Sequence, residues 1–352
     1  MLTFLLIITV FFVSIVATLS IKKAAIYFNV LDHPNHSAER KIHRQPVPLL
    51  GGVAVMISFF IGVALIYLWR PTFITHITPG QMLAVLGASV LLMIGGYFDD
   101  KFNLPPLKQL IFPLLAVILV VVVGVNLKEI TNPLGGKIDL LKFTWWGRFV
   151  LVDLIVFFWL LGMMYTTKLL DGLDGLVTGL TIIGSCMIGF LSLTEKFYQP
   201  DIALLSFLFA TVNLGFLIFN FYPAKIFLGE GGSLFAGFIL GILAIIAGGK
   251  IATALLVMGL AIIDLAAVIV RRLLRSNSPF FGDSGHLHYR LLKAGLSQRQ
   301  AVIIFYCLAG VFGVLTLFLQ SKGKLFALLI LLLVTIFLSV ILDLKNKKNE
   351  LS

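Results

Sequence analysis

A chain of 352 residues that is 59% hydrophobic and 12% charged, with a mean hydropathy of +1.06, is not a soluble globular domain. Long apolar runs recur over its whole length, so the class is an all-α polytopic membrane protein; a β-barrel would alternate in short segments. The net charge of +11 would suit nucleic acid in a soluble protein, but its distribution between loops accounts for it without such a partner.

Eleven spans are predicted, at roughly 2–21, 49–69, 81–98, 109–125, 148–165, 175–193, 202–220, 233–248, 251–270, 301–319 and 324–343. The first run lacks a basic leader and a small-residue cleavage site, so it reads as a retained helix. Of the 27 Lys and Arg residues, 18 lie in the segments after odd-numbered spans and 9 in the others. The positive-inside bias then puts the N-terminus outside and the C-terminus in the cytoplasm. Between spans four and five, Asn132 to Gly136 sits between short alternating pieces and predicts a small outer hairpin near 126–147. Residues 1–343 form one integral-membrane unit, and 344–352 a frayed cytoplasmic tail. Cys186 and Cys307 fall in apolar segments and suggest neither a disulfide nor a metal site.

The polar clusters fall in the loops assigned to the cytoplasm, at 22–48, 99–108, 166–175, 221–233 and 271–300. They are Arg40-Lys41-Ile42-His43-Arg44 with Pro46-Val47-Pro48-Leu49-Leu50-Gly51-Gly52; Asp99-Asp100-Lys101 with Lys108; Lys168 followed by Asp171-Gly172-Leu173-Asp174-Gly175; Asn220 with Pro223 to Ser233, which holds Phe227 and Glu230; and His286-Leu287-His288-Tyr289-Arg290. Carboxylates and cations together at one membrane face suit a divalent cation and a phosphorylated ligand. Mg²⁺ prefers hard oxygens, commonly one or two carboxylates with substrate phosphates, and Lys and Arg neutralise the remaining phosphate charge. The two histidines read as phosphate donors or proton shuttles. Asp264 lies within span nine, seven residues before Arg271 and so about 10 Å inside. A carboxylate there must face the bundle interior or a polar cavity, for structural hydrogen bonding or for catalysis. Asp153, near the other end of span five, reads as interfacial.

In that order and composition, from about residue 30 to 292, the motifs resemble those of the polyprenyl-phosphate N-acetylhexosamine-1-phosphate transferases, which start lipid-linked glycan assembly. The single His-Leu-His, in place of three consecutive histidines, resembles the branch using UDP-N-acetylglucosamine more than the muramoyl-pentapeptide branch. That branch includes initiators of teichoic acid, O-antigen and enterobacterial common antigen synthesis. The resemblance implies transfer of a sugar-1-phosphate from a UDP-sugar to undecaprenyl phosphate, with release of UMP and a need for Mg²⁺, or Mn²⁺ in its place. It implies a bacterial inner-membrane enzyme with its site facing the cytoplasm, as a monomer or homodimer.

By motif, Asp99 and Asp100 would handle the lipid phosphate, with Asp99 activating it, and Asp171 and Asp174 would bind the nucleotide side. Phe227 would stack on uracil, with Asn220 beside it. Glu230 and Asp171 would hold the metal, and His286 and His288 would contact the donor phosphates. Arg44, Lys101, Lys108, Lys168 and Arg290 would neutralise phosphate. The chain departs from the family pattern at two positions: Lys168 replaces an expected Asn, and Glu230 an expected Asp. A transporter or scramblase is the reading from another class, and a non-catalytic scaffold a third.

Overall fold

The computed structural model describes residues 2–34, 45–125, 129–131, 137–139, 150–248, 250–274 and 285–351. Thirteen helices account for most of them, and apolar composition decides where each long one lies. Helix α1 (Leu2–Tyr27) packs on α2 (Gly51–Trp69) and on α8 (Pro200–Asn220). Helix α3 (Pro79–Phe102) packs on α5 (Ile111–Val122), and α6 (Val150–Leu170) on α9 (Gly229–Ile246). Helix α7 (Leu176–Leu193) lies against α8 and α12 (Gln298–Phe318), and α10 (Ile251–Leu274) against α12 and α13 (Ser321–Leu351). Two short helices, α4 (Pro106–Gln109) and α11 (Leu287–Lys293), sit between longer ones.

Helix α9 is the axis of the bundle. It touches α2, α3, α6, α7, α8 and α10 and is buried along almost its whole length. Its glycines permit this. A Cβ on Gly237 would lie 2.3 Å from the Met163 carbonyl oxygen of α6, and one on Gly96 of α3 would lie 2.1 Å from the Gly231 nitrogen. Helices in lipid gain little from the hydrophobic effect between themselves, so close backbone approach carries the packing. The outermost helices, α1 and α13, keep Phe4, Phe12, Phe326 and Phe337 exposed, as a lipid-facing surface requires.

Ten helices among the described residues are long and apolar enough to cross a membrane, where eleven spans were expected. The difference is the fourth. Its chain breaks at Leu110 into the single turn of α4 and the twelve residues of α5, about 18 Å of helix against a hydrocarbon core of about 30 Å. The segment still returns the chain to the far face, because Gln81 at the start of α3 donates its Nε2 to the Gly124 carbonyl just beyond α5, at 2.7 Å. The alternation of faces is therefore kept. The expected frayed tail is instead helical: α13 continues through Asp343 to Leu351.

The expected hairpin is present as two antiparallel strands, β3 (Glu129–Thr131) and β4 (Lys137–Asp139), paired Glu129 to Asp139 and Thr131 to Lys137. On the opposite face β1 (Leu31–Asp32) pairs with β2 (Val47–Pro48), Leu31 against Pro48, and draws the residues before α2 against the end of α1. On that face end α3, α6 and α8, and there α9 begins, so the polar motifs meet at one side of the bundle.

Candidate active site

A cavity of about 1310 Å³ opens on this face. It is larger than the 300–1,000 Å³ typical of a small-ligand pocket. Its wall includes Asp99, Asp100, Lys168, Asp171, Asp174, Asn220, Phe227 and Glu230, eight of the residues singled out in the sequence.

Asp99 and Asp100 occupy the last turns of α3. Asp99 is buried. Its Oδ1 accepts from the Leu104 backbone N–H at 3.1 Å and from Gln109 Nε2 at 3.0 Å, and its Oδ2 lies 3.3 Å from Lys168 Nζ. Asp100 turns to the start of α9, where the Glu230 N–H donates to its Oδ1 at 3.1 Å. The carboxylate thus caps a helix whose first N–H groups have no internal partner. Gly229 adopts φ +75 beside it, and a Cβ there would meet Asp100 Oδ2 at 2.6 Å. The Gly229–Gly232 stretch is a capped, tightly packed helix start, held against α2 and α3 by contacts such as Gly52 to Gly232.

Asp171 and Asp174 lie in the turn between α6 and α7, which ends in the left-handed Gly175 (φ +80). Asp171 opens onto the cavity. The surrounding protein walls, then Glu230 and Asp174, push its carboxyl up to about 8. Asp174 Oδ2 accepts the Ala224 N–H at 2.9 Å. Asn220, buried at the end of α8, accepts from Thr178 Oγ1 at 2.7 Å and donates to the Ile226 carbonyl at 3.0 Å. Both residues therefore brace the loop that presents Phe227. Backbone rungs finish the job: Phe227 N–H donates to the Pro48 carbonyl at 2.8 Å, and Gly51 N–H to the Phe227 carbonyl at 2.9 Å. This explains why the Pro-x-Pro-x-x-Gly-Gly and Phe-containing segments occur together.

Lys168 is the node of the wall. Its ammonium lies 2.9 Å from Glu230 Oε2, donates to Gln109 Oε1 at 2.9 Å, and reaches Asp99. The two positions at which the chain departs from the family pattern are thus in contact with each other. Gln109 was not anticipated. It falls at the edge of what the sequence presents as an apolar span, and only the break at Leu110 turns it into the cavity.

Five expected site residues stand elsewhere. Lys101 donates to Tyr97 Oη at 2.9 Å and lies over the Tyr97 and Phe102 rings, an exposed basic residue outside the cavity wall. Lys108 is likewise exposed on α4 and off the wall. Arg290 is buried and turned away from the cavity, with its guanidinium on Ser339 and Asp343 of α13. It ties α11 to α13, which explains why α13 extends so far. Arg290→Met is expected to cost about 2–3 kcal/mol of stability with the KM for substrate unchanged; thermal unfolding beside steady-state kinetics checks this.

His286 and His288 stand behind the wall, in parallel rings 5.6 Å apart, where Tyr289 and Gly172 face the cavity. Buried Asp264 accepts from His286 Nδ1 at 2.9 Å and from the Leu287 N–H at 3.0 Å, so this intramembrane carboxylate seats the start of α11. His288 is fully buried, and neither ring nitrogen has a hydrogen-bond partner among the described residues. Burial, then His286, pushes it down to about 3, with Asp264 opposing. A ring neutral when folded must gain a proton on unfolding below pH 6.5. Its stabilisation is present above that pH and is lost as pH falls toward 3. His288→Leu should therefore lose less stability than wild type between pH 7.5 and 5, by up to about 2 kcal/mol, measured by thermal unfolding. Arg44, with the rest of the Arg40–Arg44 run, lies outside the described residues.

The model of glycosyl transferase family 4 matches residues 82–248, which include most of this wall. Over 98% of the chain and 93% of the relative, it is 31% identical to the "Probable undecaprenyl-phosphate N-acetylglucosaminyl 1-phosphate transferase" of Bacillus subtilis. The chain belongs to glycosyl transferase family 4. Other family 4 relatives are the "Decaprenyl-phosphate N-acetylglucosaminephosphotransferase" of Mycolicibacterium smegmatis (32% identity, 84% of this chain and 76% of the relative) and the "Undecaprenyl-phosphate alpha-N-acetylglucosaminyl 1-phosphate transferase" of Yersinia pestis (28%, 80% and 75%). Among the described residues no three His, Cys, Asp or Glu side chains converge as a metal cage.

Proposed function

We propose that this protein transfers N-acetylglucosamine-1-phosphate from its UDP-sugar to undecaprenyl phosphate, at the cytoplasmic face of a bacterial inner membrane, beginning a surface glycan. The observation that carries this is the cavity at one end of the bundle, with six carboxylates and Lys168 on its wall, in a family 4 chain matched over nearly its whole length. Transporter sites lie near the bilayer midplane; here the polar groups stand at helix ends.

In the reaction a lipid phosphate oxygen attacks the β-phosphorus of the UDP-sugar. The new P–O bond forms as the bridge between the two phosphorus atoms breaks, and UMP leaves with the electron pair. Both reactants are anionic, so alignment and charge neutralisation supply most of the acceleration. Asp99, fixed by Leu104 and Gln109, stands to orient the lipid phosphate and to accept its proton. Phe227, held by its backbone rungs, offers a face for the uracil ring. The hard oxygens of Asp171, on a wall whose carboxylates outnumber its lysines, suit Mg²⁺ or Mn²⁺. When bound, such an ion withdraws charge from the pyrophosphate and the departing UMP.

Purified protein in detergent, given Mg²⁺, undecaprenyl phosphate and a panel of UDP-sugars, is expected to release UMP with UDP-N-acetylglucosamine. Release with no donor would overturn the assignment, and release with another sugar alone would correct the substrate.

A further inference from the structure

The Lys168 ammonium has three donors and, within reach, Glu230 Oε2 at 2.9 Å, Gln109 Oε1 at 2.9 Å and Asp99 Oδ2 at 3.3 Å. The lysine is only 12% exposed, so these contacts are shielded from bulk water. They come from three separate elements: Asp99 closes α3, Gln109 ends α4, and Glu230 opens α9. Gln109 is itself fixed, because its Nε2 donates both to Asp99 and to the Leu104 carbonyl at 2.8 Å. The amide therefore presents only its oxygen to the ammonium and holds it between the two carboxylates. Asp171 is differently placed. It stands on the same cavity wall, has no lysine or arginine ion pair among the described residues, and lies among like charges.

We propose that Lys168, seated by Gln109, is the cation that occupies Glu230 and Asp99, and leaves Asp171 as the carboxylate that takes the divalent ion. Lys168 is then a positioning residue that sets where charge is already neutralised and where it is not. Lys22 and Lys225 also line the cavity, but it is Lys168 that pairs with Glu230, so Glu230 serves the lysine and not the metal. The divalent ion in this inference rests on the function proposed above; the lysine network does not.

The test uses the full-length protein in detergent with UMP present, whose phosphate completes the coordination without turnover. The readouts are thermal unfolding against Mn²⁺ concentration and the electron paramagnetic resonance signal of free Mn²⁺. Wild type and Glu230→Gln are expected to bind Mn²⁺ alike, and Asp171→Asn to lose it. Lys168→Met releases two carboxylates, so its apparent Mn²⁺ affinity should rise roughly tenfold or more, with a larger Mn²⁺-induced rise in Tm. Adding Glu230→Gln to Lys168→Met should cancel that gain, and Lys168→Arg, which keeps the charge, should behave as wild type. Loss of binding in Glu230→Gln with retention in Asp171→Asn overturns the proposal; so does a Lys168→Met protein that binds no more tightly than wild type, or a wild type that binds no Mn²⁺. If Lys168→Met does not fold, the Glu230→Gln and Asp171→Asn pair decides alone. Mn²⁺ binding as expected, without UMP release from any donor, would spare this assignment and sink the transferase reading.

Discussion

Asp99→Asn is expected to lower kcat for UMP release by about 10²–10⁴-fold, the range for loss of a positioned acid or base, with little change in the KM for the UDP-sugar. The substitution keeps the side-chain volume. It removes the charge that Lys168 faces and places an amide N–H₂ where the Leu104 N–H, Gln109 Nε2 or Lys168 Nζ now points, so one donor always meets another. The reacting lipid phosphate then loses both its proton acceptor and the group that fixes its approach. A donor nucleotide bound on the Phe227 side, as proposed above, would keep its contacts. Such a split, with kcat falling and KM holding, marks an interaction made in the transition state. Thermal unfolding of the same variant separates this from misfolding. Full turnover in a folded protein would remove Asp99 from the reaction.

Gly96→Val is expected to destabilise the protein by about 3 kcal/mol or more, at the upper end of what overpacking costs. A Cβ at Gly96 would lie 2.1 Å from the Gly231 nitrogen and 2.3 Å from its Cα, and backbone cannot rotate away as a side chain can. Helices α3 and α9 must part, and the Asp100 cap on the Glu230 N–H parts with them. Loss of activity should therefore accompany the loss of stability. Gly162→Ala, in α6, is the control. Nothing lies within 4 Å of its Cβ position, so the change should be neutral or stabilising by up to about 1 kcal/mol through helix propensity. Equal Tm values for the two variants would show that the crossing can open without cost.

Much of this arrangement was legible before any coordinates. Apolar runs located the ten long helices, since a stretch of some 20 apolar residues has few soluble uses. The polar clusters were legible as lying on one face because they alternate with the spans and so return to the same side. The short α5 was not legible from hydropathy, because its residues are as apolar as those of a full span; the local signal is Pro113, which has no N–H to bond the Gln109 carbonyl just before the break at Leu110. Gln109 was missed for the same reason. His286, His288 and Arg290 were read as ligand contacts because charge near a membrane face usually has work there. In the structure their contacts are internal, with Asp264, Gly172 and α13 as partners.

By itself the sequence determined the class, the order of helices, the face that carries the chemistry and the residue types available there, because hydropathy and charge act along the chain and need no partner. The tertiary structure alone decided which of those residues share a cavity and which serve the frame. That depends on distances between groups far apart in the chain. Lys168 and Glu230, separated by a turn and two full helices, meet because the glycines at 237 and 241 let α6 close on α9.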